Sequence, residues 1–470
     1  MKRSAAFAPL LLGLLAMPAA AQGPDRIYVR RIELEGVTRI ADPVLRRELT
    51  QLEGAYLNTV ALEQSRRRLE QLPFVASARV ELRPVPGTPD TVDVIITIEE
   101  APARRYGGGG GWSESDRGSV HGYFINENLF GTGQRLSARV EGSDFWSFAE
   151  LSHSEPYARP EGVSRTVTLR SREIDRLNAE SSALDAKVDS ALLEYGWRAG
   201  ERHRVRFGLE LRDTAIGTGP AASTQLVDWL TAVGGNVDPG SSLRAELAEA
   251  DLLFGWRYDT RDRAVFPRLG LEQSLEARLA VPGNDVEHYA LDYEVARYRP
   301  VGERWTLRLR GHLGYGAAYS ADTPSMPPYA RWFAGGPRSV RGYRESSLGP
   351  KDSLGNPYGG NLLLSGQVEL MTPWPERWRE RLRVGFFYDV GNAFATDDVA
   401  FFDDAGQPLD YGFDAAALRQ SVGVAADLLL PRIGMLRVSY GVPLDAEDDH
   451  PNRFLRDDVE RWQLRVDFDF

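Results

Sequence analysis

Strict two-residue alternation at the end of the chain constrains its fold most. Trp462, Leu464, Val466, Phe468 and Phe470 alternate with Gln463, Arg465, Asp467 and Asp469. Successive side chains of a strand point to opposite faces, so one face here is apolar and aromatic and the other charged. Such a strand suits lipid on one side and a polar lumen on the other. The same holds for Leu382, Val384, Phe386 and Tyr388 against Arg383, Gly385, Phe387 and Asp389. It holds again for Leu362, Leu364, Gly366, Val368 and Leu370 against Asn361, Leu363, Ser365, Gln367 and Glu369. A soluble sandwich also alternates, so the number of repeats is what discriminates. About sixteen such segments occur, centred near residues 109, 123, 138, 150, 170, 192, 208, 255, 276, 293, 311, 366, 386, 423, 438 and 466. Single-chain bacterial barrels carry an even number of strands.

The connections sort by length. Long ones fall near 214–249, 318–360, 392–416 and 444–460. Shorter ones, such as Asn128–Gly133, Ala199–His203, Pro300–Arg304 and Pro431–Gly434, alternate with them, with modest turns at 261–270 and 372–380 as exceptions. If the barrel is entered from the periplasm, every long connection lies outside, the outer-membrane arrangement. The expectation is a sixteen-stranded transmembrane antiparallel β-barrel over 104–470, all-β apart from a small N-terminal α+β domain.

The first residues read as an address. Lys2 and Arg3 precede an apolar stretch from Ala5 to Met17, and Ala19-Ala20-Ala21 offers a small-residue cleavage site. This is the pattern of a secretory signal peptide over 1–21. The stretch is shorter than the roughly 20 residues of a spanning helix. An exported chain with no other long apolar run spans a membrane only as a closed barrel, because lipid offers no partner to open backbone.

Residues 26–102 read as the α+β domain, in the order β-α-α-β-β. Ile27 to Leu34 forms a strand ended by Gly36, and Asp42-Pro43 looks like an N-cap followed by proline at the first helical position. Leu45, Leu49 and Leu52 share one helical face, with Gly54 as a stop. A second helix begins near Asn58, turns Leu62, Leu69 and Leu72 inward, and ends at Pro73. Ala76, Ala78, Val80 and Leu82 form the inward face of one closing strand, and Val92, Val94, Ile96 and Ile98 that of the other. Such a sheet leaves an edge able to accept an extended peptide, or serves only as a spacer.

Composition removes several functional classes. No cysteine is present, which excludes disulfides, thiolate metal sites and cysteine nucleophiles. Acidic residues outnumber basic ones 67 to 56, so no nucleic-acid partner is expected. His121, His153, His203, His288, His312 and His450 show no metal-ligand spacing, and no Gly-x-Ser-x-Gly elbow occurs. His153, flanked by Ser152 and Ser154, is the one residual catalytic candidate. Acidic clusters at Asp397-Asp398, Asp403-Asp404 and Asp445 to Asp449 lack regular calcium-loop spacing and read as solvated loops. The expectation is a non-enzyme with no catalytic residue, cofactor or metal.

One long connection carries a more specific pattern. It runs Arg331-Trp332-Phe333-Ala334-Gly335-Gly336-Pro337-Arg338-Ser339-Val340-Arg341-Gly342-Tyr343 and continues to Leu348-Gly349-Pro350. The tetrad Val340, Arg341, Gly342, Tyr343 after a Gly-Gly turn resembles the Val-Arg-Gly-Phe/Tyr loop of the BamA/TamA superfamily of outer-membrane insertases and translocators. The α+β unit is similar to that family's periplasmic POTRA domain. Asn128 to Gly133, Asp259 to Asp262 with Phe266-Pro267, Val368 to Pro373 and Phe386 to Gly391 resemble its barrel. The terminal aromatic fits its barrel-targeting signal. One departure stands out: a single POTRA-like unit, where BamA relatives usually carry several and TamA relatives three.

Arg341 carries a fixed positive charge on a planar five-donor fork suited to carboxylates. Alternation puts Glu369 and Asp389 on the lumen faces of neighbouring segments, twelve and thirteen, so a loop folding inward can set Arg341 between them. The resemblance implies such a contact. The competing reading leaves Arg341 exposed with Arg331, Arg338 and Arg344, facing lipopolysaccharide phosphates or nothing. Gly342 permits a tight turn beside the wall, and Tyr343 can pack there.

The first barrel segment holds five consecutive glycines, Gly107, Gly108, Gly109, Gly110 and Gly111. Glycine weakens a strand. In a closed barrel this strand borders the last, so the seam is weak, and a client strand can pair there. The simpler reading is a hinge between the two domains. The resemblance implies a lateral gate between first strand and last. It further implies unfolded β-barrel clients, contact with outer-membrane lipid and lipopolysaccharide, and periplasmic or inner-membrane assembly partners at the POTRA-like unit. A translocation pore for one exported partner is the alternative, and a passive porin a third.

Overall fold

The structure, a computed structural model, describes residues 27–113, 117–159, 162–175, 184–200, 202–219, 222–237, 242–430 and 434–467. The signal-peptide expectation and the terminal residues Phe468 and Phe470 lie outside them. The chain divides into two compact units after Pro102.

The first unit is a four-stranded sheet with two helices. Strands β1 (Tyr28–Glu35), β2 (Ala55–Tyr56), β3 (Val75–Pro84) and β4 (Thr91–Glu100) lie in the order β2-β1-β4-β3. Helix α1 is Asp42–Arg46 and α2 is Thr59–Glu70. β4 is central, parallel to β1 and antiparallel to β3, which explains its run of buried Val92, Val94, Ile95, Ile96 and Ile98. Asn58 caps α2 by accepting from the backbone N–H of Val60 and Ala61 at 3.0 and 3.1 Å.

Several local expectations fail here, among them Leu82 of β3, which is 40% exposed rather than facing inward. The cap of α1 is Ala41, with Asp42 already helical and making no cap bond. α1 ends after five residues, so Leu52 is off the helix and 67% exposed. A bulge between Val75 and Ser77 shifts the register of β3 and leaves Ala76 exposed rather than facing inward.

Glu100 fastens the loop after β1. Its carboxylate accepts from the N–H of Thr38, Arg39 and Ile40 at 2.8, 2.7 and 3.2 Å. The Thr38 hydroxyl and Arg39 Nε, both at 2.9 Å, complete the set. Partial burial opposes the charge, but the bonds from Arg39 and Thr38 outweigh it and hold the group down at about 2.

Among the described residues the second unit is a closed antiparallel ring of sixteen strands, from Arg104–Ser113 through Trp462–Asp467, with the two-residue strand Asn236–Val237 paired beside the eighth, Leu243–Asp259. Neighbours pair in sequence order, and the last strand lies beside the first. Every segment expected from the alternation is a strand. The loop-bearing end of the barrel is more built than the sequence reading allowed. The connection 219–242 contains α3 (Thr224–Ala232), whose Leu226, Trp229 and Leu230 pack against Ile216, Ala245, Leu247 and Val286.

Facing outward, Val368, Phe386, Trp462 and Leu464 are 41, 61, 67 and 54% exposed. Their inward neighbours Gln367, Glu369, Phe387, Asp389 and Gln463 are buried. Burying polar and charged groups inward while leaving apolar ones bare is the reverse of a soluble protein and the pattern of a barrel in lipid.

A candidate functional site on the barrel wall

The connection from 319 to 361 does not project from the barrel. It folds back against the inner wall, and Val340, Arg341, Gly342 and Tyr343 are all buried. The two glycines before the tetrad supply the reversal, with φ of +99° at Gly335 and +87° at Gly336, a region open mainly to glycine. Ser339 locks that turn by accepting from Gly335 N–H at 2.8 Å and donating to its carbonyl at 3.0 Å. Val340 then enters an apolar cluster with Ala334, Tyr343, Leu348, Leu363 and Ala393.

Arg341 sits between the twelfth strand, Leu362–Pro373, and the thirteenth, Leu382–Phe394. Nε and Nη2 donate to the two oxygens of Asp389, each at 2.7 Å, in a two-pronged pair. Nη1 donates to Glu369 Oε1 at 2.5 Å, and the Arg341 backbone N–H donates to Asp389 Oδ2 at 3.0 Å. The guanidinium lies 3.6 Å from the centroid of the Phe387 ring. Glu369 also pairs with Arg308 of the eleventh strand at 2.6 Å. Two cations and two anions thus balance in a place where Asp389 is 0% exposed and Arg341 5%. Buried charge persists only when paired this completely. Among the other arginines of the loop, Arg331 is buried against Asp397, with its guanidinium 4.9 Å from the Tyr358 ring centroid. Arg344 pairs with Asp458 at 2.8 Å, and Arg338 is exposed.

Gly342 is required by space as well as by its φ of +90°. A Cβ there would meet the carbonyl carbon and oxygen of Gly441 at 3.1 and 3.2 Å. The converse is tighter: a Cβ on Gly441 would lie 2.6 Å from the Gly342 nitrogen. Two backbones touch because neither residue has a side chain. Gly441 lies on the fifteenth strand, Gly434–Pro443, and nothing in its local sequence marks it.

Tyr343 is fully buried and donates its hydroxyl to Asp445 Oδ1 at 2.8 Å. Gly342–Tyr343 pairs antiparallel with Val459–Glu460, just before the last strand. The Tyr343 carbonyl accepts from Gln463 Nε2, on the last strand, at 2.6 Å. The loop therefore bridges the wall at strands eleven to thirteen and the edge at fifteen and sixteen.

At that edge, Gly107 to Gly111 lie in the first strand and pair with Tyr123, Gly122, His121, Val120 and Ser119. The Tyr123 ring covers Gly107, where a Cβ would meet its hydroxyl at 2.6 Å. The described part of the last strand is six residues long and pairs with Met435–Tyr440 of the fifteenth.

Sequence spacing gave no metal-like grouping of histidines. The barrel nonetheless sets His312 beside Asp292 and Glu294, with ligand-type atoms within 4.8 Å of one another. They come from adjacent strands, so sequence spacing could not have brought them together. His153, the residual catalytic candidate, bonds Gln134 through Nε2 at 3.0 Å.

The sequence matches the Omp85 superfamily domain over residues 128–470 and a surface-antigen variable-number repeat, a POTRA unit, over 27–101. The outer membrane protein assembly factor BamA of Neisseria meningitidis is 28% identical over 460 residues, covering 94% of this chain and 56% of that protein. The human sorting and assembly machinery component 50 homolog is 28% identical over 235 residues, covering 45% of this chain and 43% of that one. The chain spans about half the length of the curated relatives it matches. BamA from Haemophilus ducreyi lacking POTRA domains 1–3 superposes with a TM-score of 0.78 at 26% identity, covering 93% of this chain and 84% of that structure. CdiB from Acinetobacter baumannii, at 13% identity and a TM-score of 0.53 over 93% and 73% of the two chains, shares the fold alone. A POTRA unit followed by a sixteen-stranded barrel with the Val-Arg-Gly-Tyr loop seated on its inner wall places this chain in the Omp85 superfamily, among the relatives of BamA.

Proposed function

We propose that this chain assists the insertion of other β-barrel proteins into the bacterial outer membrane, by strand pairing between its first and last barrel strands. The observation that carries the reading is the seam. A ten-residue first strand with five consecutive glycines borders the last strand of the barrel. Backbone donors and acceptors at a parted seam have no partner in lipid, so an incoming client strand is their natural complement. The work is non-enzymatic: no nucleotide or cofactor is required, because client folding itself releases free energy.

The POTRA unit lies in the periplasm in this reading, and the loop-bearing end of the barrel faces outward among lipopolysaccharides. The β3 edge, Val75–Pro84, offers an extended client or an assembly partner a place to pair. Arg341 with Glu369 and Asp389 holds the loop seated while the seam works. The names of the BamA relatives agree with this assignment. The test is insertion of an unfolded model barrel protein into liposomes containing the purified protein. Acceleration over empty liposomes supports the proposal. No acceleration by correctly folded protein would overturn it, and single-channel conductance would then separate a translocation pore from a porin.

A further inference from the structure

A second fastening of the same loop lies on strands the tetrad does not touch. The tenth strand, His288–Val301, and the eleventh, Trp305–Ala318, pair Asp292 with Gly314 and Glu294 with His312. Trp332, nine residues before Arg341, lies on this spot. Its ring occupies the space a side chain at Gly314 would take, for a Cβ there would meet the indole at 2.6 Å. Its Nε1–H donates to Asp292 Oδ2 at 2.9 Å, and the same oxygen lies 2.8 Å from His312 Nε2. The Trp332 main chain bridges Gly360 in both directions, at 2.9 and 2.8 Å. One glycine makes the slot, one carboxylate orients the ring, and one imidazole orients the carboxylate.

We propose that Trp332, Asp292 and His312 form a second latch, which positions the near arm of the loop so that Arg341 meets Glu369 and Asp389. The two latches act in parallel on one loop segment, from strands ten and eleven on one side and twelve and thirteen on the other. Breaking either loosens the segment, and breaking both frees it. This goes beyond the proposed insertion activity and needs no client to test.

The exposed Arg338, between the latches, supplies the probe. Its neighbours Ser339 and Val340 are buried, so trypsin can seat the backbone around Arg338 only once the loop leaves the wall, and the cleavage rate of the folded full-length protein reports unlatching. Trp332→Phe keeps the ring and removes the donor, and Arg341→Lys weakens the other latch. Arg341→Lys alone should raise the rate by about tenfold or more and Trp332→Phe alone by about threefold; because Trp332 positions the arm that carries Arg341, the double variant should be faster than either but slower than the product of the two. Rates that simply multiply, or a double variant no faster than Arg341→Lys, would overturn the proposal. Gly314→Ala, which adds one methyl beneath the indole, is the second way to open this latch and should behave like Trp332→Phe. A spectroscopic readout separates positioning from general loosening. In protein labelled with 5-fluorotryptophan, the Trp332 resonance, assigned by its loss in Trp332→Phe, should shift in both Asp292→Asn and His312→Ala. An unmoved resonance in both would mean that the carboxylate and imidazole do not position the ring.

Discussion

Arg341→Ala removes three side-chain bonds, two to Asp389 and one to Glu369. The two carboxylates are left unequally served. Glu369 keeps Arg308 at 2.6 Å, whereas Asp389, fully buried, keeps among the described residues only the backbone N–H of residue 341 at 3.0 Å. Stranding a buried charge in this way costs about 3–5 kcal/mol. Loss of the guanidinium stacked on Phe387 adds about 0.5–2 kcal/mol. The loop escapes part of that cost by leaving the wall, so unseating is the expected result. A net shift of about 4 kcal/mol raises the unseated population roughly a thousandfold. Arg341→Lys keeps the charge but loses the two-pronged geometry, and should cost about 1.5–3 kcal/mol. Adding Asp389→Asn to Arg341→Ala should recover stability, because the uncompensated charge disappears with it. The assay is urea titration of the folded protein in lipid, read by the heat-dependent gel shift of the barrel, alongside cleavage after Arg338. Arg341→Ala within about 0.5 kcal/mol of the parent would refute the reasoning, given that the pair's attraction is expected to exceed the side-chain entropy it costs. So would a double variant whose loss equals the sum of the two singles.

Three further outcomes follow from the same geometry. Gly441→Ala, whose Cβ would lie 2.6 Å from the Gly342 backbone nitrogen, should unseat the loop more than Gly342→Ala, where the nearest atom is at 3.1 Å; cleavage after Arg338 ranks the two. Phe387→Leu should cost about 0.5–2 kcal/mol in the urea titration through the lost cation–π contact, clearly less than Arg341→Ala. Glu100, held at about 2 when folded, stabilises the POTRA unit at neutral pH, and that contribution fades as pH falls from about 4.5 towards 2. Hydrogen-exchange protection of the Thr38, Arg39 and Ile40 amides should therefore fall over that range, and Glu100→Gln should flatten the pH dependence.

The barrel was legible because lipid and lumen impose a two-residue period on every strand, and sixteen repeats of it are hard to mimic. The lumen placement of Glu369 and Asp389 followed from the same parity. Arg308, Phe387 and Gly441 did not stand out as partners of the tetrad, because a cross-strand neighbour is fixed by register, which alternation leaves open. Asp292 and His312 pair across a turn for the same reason. The helix over Thr224–Ala232 did carry a local signal: Leu226, Trp229, Leu230 and Val233 fall at i, i+3, i+4 and i+7. It passed as loop because it lies within a long connection between strands. In the POTRA unit, the bulge at Ala76 defeated simple alternation, since one extra residue moves a side chain to the other face.

The central claim is that clients enter at the seam between the first and last strands. The chain has no cysteine, so single pairs can be introduced cleanly, one at Gly108 to Gly110 and one at Trp462 to Leu464. The most direct measurement is the insertion rate of an unfolded model barrel into liposomes carrying such a pair, oxidised and then reduced. The account predicts that the oxidised, cross-linked seam loses the acceleration and that reductant restores it. Acceleration unchanged by a cross-link that gel analysis shows to be complete would contradict it.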